Sequence, residues 1–197
     1  MGICAREYPL FSACGLNCGL CPRFFTDGPS RCPGCGAEGF SQKHPSCGFL
    51  SCCRRHEVEY CGLCAEYPCA RYDGAEQYDS FITHQNQMKN FEKIKEIGFE
   101  AYRVELNRKV TLLNKLLNHF DDGKRKSYYC LAVNLMELED IELVIQQFTA
   151  HGQSDTPKEK AAAAVGLFEK IASKRGVTLK LRKPEPKAEK EAGRKAL

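Results

Sequence analysis

Three pairs of cysteines, Cys18/Cys21, Cys32/Cys35 and Cys61/Cys64, each enclose two residues. That spacing has a geometric cause, because two intervening residues form a turn tight enough for both thiolates to face one ion at about 2.3 Å. Glycine eases such turns, and Gly19, Gly34 and Gly62 lie inside the pairs. Around them stand Cys14, Cys47, Cys52, Cys53 and Cys69, so that eleven of the 13 cysteines fall between Cys14 and Cys69. One pair alone carries little information. Three in so short a segment point to metal binding.

The simplest partition puts Cys18, Cys21, Cys32 and Cys35 around one zinc ion and Cys47, Cys52, Cys61 and Cys64 around a second. It leaves Cys14, Cys53 and Cys69 without a site. The alternative cofactor is an iron–sulfur cluster: Cys14, Cys18 and Cys21 have C-x3-C-x2-C spacing, suited to three corners of a [4Fe-4S] cubane that Cys69 or Cys47 would close. The prolines of Cys21-Pro22 and Pro68-Cys69 fit that alternative. His44 and His56 could complete a Cys3His site but read more simply as exposed loop residues. Cys130 follows Tyr128-Tyr129 on an expected helix and reads as a small buried apolar side chain.

In a secreted protein this cysteine density would indicate disulfides. The first residues, MGICAREYPLFSACG, lack a basic start followed by an apolar run, and no stretch approaches the roughly 20 apolar residues of a membrane span. The expectation is a cytoplasmic protein without a membrane partner, in which thiols this dense are held by metal. The net charge of +4 is misleading as a sign of nucleic acid. Residues 174–197 carry nine Lys or Arg and three Glu, a net of +6, which leaves the rest at −2. Nucleic acid is therefore not indicated, and an unknown protein partner fits as well.

These cysteines have to be positioned by a segment that is poor in apolar periodicity and rich in Gly and Pro. Such a segment cannot bury enough surface to fold alone, and metal coordination would supply the missing stability. After about Tyr72 the pattern becomes helical: Phe91, Ile94 and Ile97, then Tyr102, Leu106, Leu113, Leu116, Leu117 and Phe120, with stops at Gly98 and Gly123. A further helix starts near Ser127, another runs through Ile141, Val144, Ile145 and Phe148 to His151-Gly152, and the last opens with Thr156 as cap and Pro157 at its first position. Val177–Leu181 alternates weakly, as a short edge strand would. The Gly123-Lys124-Arg125-Lys126-Ser127 run before a helix reads as a solvated loop or an anion site. The expected fold is a small irregular Cys-rich metal-stapled module, residues 1–72, followed by an all-α domain of four to five helices, residues 73–176. Residues 177–197 form a short strand or a basic disordered tail.

The run from Cys14 to Tyr72 resembles the cysteine-rich family catalogued as domain of unknown function 3795. The matching residues are Cys14-Gly15-Leu16, Cys18, Cys21, Cys32-Pro33-Gly34-Cys35, Cys47, Cys52, Cys61-Gly62-Leu63-Cys64 and Pro68-Cys69. The resemblance implies an intracellular bacterial or archaeal protein, often from anaerobes, which favours iron–sulfur chemistry. It makes Cys14, Cys18, Cys21, Cys32, Cys35, Cys47, Cys52, Cys61, Cys64 and Cys69 the expected metal ligands, with Cys4, Cys53 and Cys130 outside the pattern. No Walker loop, dinucleotide fingerprint or nucleophile with an adjacent base occurs, so catalysis is not indicated. The expected function is metal binding without an assigned activity, through two zinc sites that stabilise an interaction module, or through a [4Fe-4S] cluster with a redox role.

Overall fold

The computed structural model describes residues 6–150 and 156–184. Seven α-helices follow one another: α1 Phe40–Lys43, α2 Gly48–Arg55, α3 Gln87–Ile97, α4 Phe99–His119, α5 Lys126–Leu135, α6 Leu138–Ala150 and α7 Pro157–Lys174. The last five are the helices expected from periodicity. No strand occurs among the described residues, and no helix there is long and apolar enough to cross a membrane.

The helices begin and end where local chemistry dictates. Gly98, with φ of 85°, separates α3 from α4 in a conformation that costs glycine little. At the start of α7 the Thr156 hydroxyl accepts from Glu159 N at 3.3 Å, and the Glu159 carboxylate accepts from Thr156 N at 2.9 Å. This reciprocal box and Pro157 at the first helical position fix the helix start. α4 packs against α3, α5 and α6, and α6 carries α7. Leu113, Leu116, Val133, Ile141, Val144 and Phe168 are fully or almost fully buried between them.

One expectation fails for a physical reason. Val177–Leu181 is not a strand, since it has no strand beside it to pair its backbone. Leu179 is buried there, and the following Arg182 is tied to Asp79 instead. Asp79 N donates to Arg182 O at 2.9 Å, while the Asp79 carboxylate accepts from Arg182 N at 2.7 Å and from its guanidinium at 3.0 Å. In the loop before α5 the backbone N–H groups bond the loop's own carboxylates. Asp121 Oδ1 already accepts from Gly123 N at 3.0 Å and Arg125 N at 2.8 Å, and Asp122 Oδ1 accepts from Lys124 N at 3.1 Å. His151-Gly152 and the basic tail beyond residue 184 lie outside the described residues.

The cysteine segment is built on a short spine, residues 9–13, whose carbonyls receive one hydrogen bond from each cysteine pair. Pro9 O accepts from Cys35 N at 2.9 Å, Leu10 O from Gly19 N at 2.8 Å and Ala13 O from Cys61 N at 2.9 Å. Cys18–Leu20 and Cys61–Leu63 each form a single 3-10 turn. In both, the second cysteine of the pair donates its N–H to the carbonyl of the first, at 3.1 Å for Cys21 and 2.9 Å for Cys64. The two halves then share one core. Phe11, with no exposed surface, meets the rings of Tyr60, Phe91 and Tyr102 at 5.7, 5.7 and 5.3 Å between centroids. Contact is close enough to exclude side chains: a Cβ on Gly15, whose φ is 96°, would lie 2.3 Å from the Gln87 carbonyl oxygen in α3.

Candidate metal centres

The described cysteines between Cys14 and Cys69 line two separate cavities. The first, of about 400 Å³, is walled by Cys14, Cys18, Cys21, Cys32, Cys35 and Cys47. The second, of about 230 Å³, is walled by Cys52, Cys53, Cys61, Cys64 and Cys69. The spine separates them, because it bonds the turns of the first two pairs through Leu10 and Pro9 and the third through Ala13. Cys18/Cys21 and Cys32/Cys35 stand together, as the spacing suggests. Cys47 does not accompany Cys52: α2 starts at Gly48, and five residues of helical rotation leave Cys52 roughly 140° round the axis from Cys47, at the other cavity. Cys14 joins the first cavity and Cys69 the second, which places two of the cysteines that the zinc partition leaves over.

Electrostatics differ along these walls. Burial pushes the Cys14 thiol up to about 12, and the bond to the Ser12 hydroxyl at 3.1 Å only partly offsets it. Cys35 is pushed down to about 6, first by the hydrogen bond from the Cys18 thiol and then, against its burial, by Arg6 and the Ala13 N–H. Cys18, as the donor, is raised. Cys61 is lowered to about 7 by the hydrogen bond from Cys53, with further help from Tyr72, Arg71 and Arg6, while Cys53 is raised. One thiol in each cavity is thus shifted toward the thiolate, the form that binds metal.

Arg6 acts on both cavities. Its guanidinium donates to Phe11 O at 2.7 Å and to Glu59 at 3.0 Å, and its side chain is 5% exposed. A buried cation that acts on thiols of both cavities lowers the cost of gathering negative charge there. Nothing in the spacing of the sequence marks it. His84 is a second residue that periodicity misses: it is half-buried on the wall of the first cavity. Its Nδ1 lies 3.0 Å from Ala75 O, which can only accept, and its Nε2 lies 3.3 Å from the Ser80 hydroxyl. His44 also lines the first cavity, stacked on Phe40 at 4.7 Å, and exposed His56 lines the second. Cys130 is buried on α5, and burial raises its thiol, as an apolar role requires.

The donor set suits soft thiolate-bound metals: six thiols face one space and five the other. Four thiolates around one zinc stand about 3.8 Å apart, by simple tetrahedral geometry. Among the described residues no group of three or more His, Cys, Asp or Glu side chains is arranged to hold a metal ion. A zinc ion would therefore draw the thiols inward by side-chain rotation. A four-iron cluster spreads its thiolates over the corners of a cube and asks for less convergence.

Residues 10–74 match the family model described as protein of unknown function (DUF3795), which covers every cysteine from Cys14 to Cys69. No curated protein and no solved structure matches the chain.

Proposed function

We propose that this is a metal-binding protein in which two cysteine-ligated centres hold an interaction module in shape. The supporting observation is that the ten cysteines of the family pattern divide between two cavities, Cys14, Cys18, Cys21, Cys32, Cys35 and Cys47 at one and Cys52, Cys61, Cys64 and Cys69 at the other. The second set is the four thiolates of a closed structural site, for which zinc is the simplest occupant. When bound, the metal supplies folding energy to a segment with little apolar core of its own.

At the first cavity one observation favours a [4Fe-4S] cluster. It has about 400 Å³ of space, six thiols and a mostly apolar remaining wall, including Phe24, Phe40, Phe49, Phe81 and Ile82. A thiol-lined space of that size is more than a bare ion needs, and apolar surroundings are one of the levers that set cluster potentials. Metal and sulfide analysis with a visible spectrum, on full-length protein purified without oxygen, tests the reading. Two zinc ions and no colour support two structural sites. Iron with inorganic sulfide and a brown colour establishes the cluster and a redox role. Protein that folds with neither overturns both.

A further inference from the structure

Cys53 lies outside the ten matched cysteines, yet its Sγ is 3.5 Å from that of Cys61. It sits on the buried side of α2, 3% exposed, and Cys61 opens the 3-10 turn that follows. Both ends of the intervening loop are pinned, by Val58 N donating to Cys53 O at 3.0 Å and Cys61 N donating to Ala13 O at 2.9 Å. Both sulfurs line the second cavity, whose rim residues Arg55, His56 and Glu66 are exposed, so a small solute reaches them. A disulfide needs the sulfurs at about 2.05 Å. Closing the remaining gap is within the reach of side-chain rotation, because the backbone already holds the two residues face to face.

We propose that Cys53 and Cys61 are a peroxide-sensitive thiol pair whose disulfide withdraws Cys61 from the second metal centre and releases the metal. The release rests on the two-centre reading; the disulfide does not. In the first step the Cys61 sulfur attacks one oxygen of hydrogen peroxide, the O–O bond breaks, hydroxide leaves, and Cys61 becomes a sulfenic acid. In the second, the Cys53 sulfur attacks the Cys61 sulfur, the S–O bond breaks, and the Cys53 proton leaves with the hydroxyl as water. Two thiol sulfurs lose two electrons in all, and peroxide is reduced by the same two. A thiol reductant reverses the bond by exchange.

Cys53 is suited to this part because the four family cysteines around it are committed to the metal, whereas the fifth thiol is free. At the first cavity the contacting thiols, Cys18 and Cys35, both belong to the ligand set, so no spare partner stands by.

The test treats full-length, metal-loaded protein with hydrogen peroxide, follows metal in solution with a chromophoric chelator, and maps disulfides by fragmentation mass spectrometry of non-reduced peptides. The expected result is a Cys53–Cys61 cross-link that forms together with release of the metal held by the second centre, both reversed by a thiol reductant and fresh metal. Cys53→Ser should lack the cross-link and release metal several-fold more slowly. Cross-linking confined to other pairs, such as Cys18–Cys35, overturns the proposal, and this readout needs no variant to fold. Release at the wild-type rate from Cys53→Ser overturns the coupling. Protein that carries no metal but forms the cross-link defeats the two-centre reading and leaves the thiol pair standing.

Discussion

Between Pro9 and Tyr72 the chain is held by isolated hydrogen bonds, single 3-10 turns, two short helices and close approaches at glycine, whereas from Gln87 to Ala150 and from Pro157 to Lys174 it is held mainly by repeating helical bonds and apolar stripes. The second kind of structure needs only its own periodicity to start. The first needs a template. Gly62 shows the dependence as Gly15 does, since a Cβ there would lie 2.8 Å from a Phe91 ring atom in α3. The cysteine turns are thus shaped against the helices on one side and, in the proposed reading, by metal on the other.

Stripping metal with a strong chelator tests this contrast most severely. Structural zinc contributes roughly 10 kcal/mol or more per site, so the segment 10–74 should lose its fixed packing while the helices survive. Near-ultraviolet circular dichroism from the Phe11, Tyr60 and Tyr67 surroundings should collapse, with far-ultraviolet helicity mostly kept. Equal loss of both signals would mean that the two regions fold as one unit. Phe11→Ala comes next, because Phe11 is the ring on which both regions meet. It should cost about 3–5 kcal/mol in chemical denaturation and lower metal retention as well.

Asp79 sharpens the comparison on the helical side, for its loop also borders the first cavity through Ser80, Phe81, Ile82 and His84. Burial raises the carboxyl, but the bonds from Arg182 and from His84 N outweigh it and hold it below the usual carboxylate range. A depressed folded value means that its stabilisation is complete above the ordinary unfolded value near pH 4 and is lost as pH falls through the folded value. Asp79→Asn should cost about 1–2 kcal/mol at neutral pH and flatten that acid limb, measured by thermal unfolding across pH. Thr156→Ala should have the smallest effect, about 1 kcal/mol, and should leave metal content unchanged. A loss of metal in that variant would contradict the separation of the two regions.

The helices were legible because their signals are local. Gly98 as a stop, Thr156 and Pro157 as a start, and the spacing of Leu113, Leu116 and Phe120 each act within a few residues, and each stands where periodicity put it. Ile97 shows the limit: it fits the stripe, yet the last turn of α3 leaves it 40% exposed. The Cys14–Leu16 and Cys61–Cys64 motifs likewise announced the family over residues 10–74.

Which cysteines meet was beyond that kind of reading. Cys47 and Cys52 are neighbours in the chain and fall into different cavities, because a helix begins between them and turns the second away. Cys53 came into contact with Cys61, and Arg6 came to act on thiols of both cavities, through tertiary contacts that no spacing encodes. The sequence by itself determined the density of thiols, the helical half and the points where helices start and stop, since these depend on residue type and short-range geometry. Tertiary structure alone decided the division into two cavities and the pairing of Cys53 with Cys61, because turns without periodicity take their places only from the surfaces they close against.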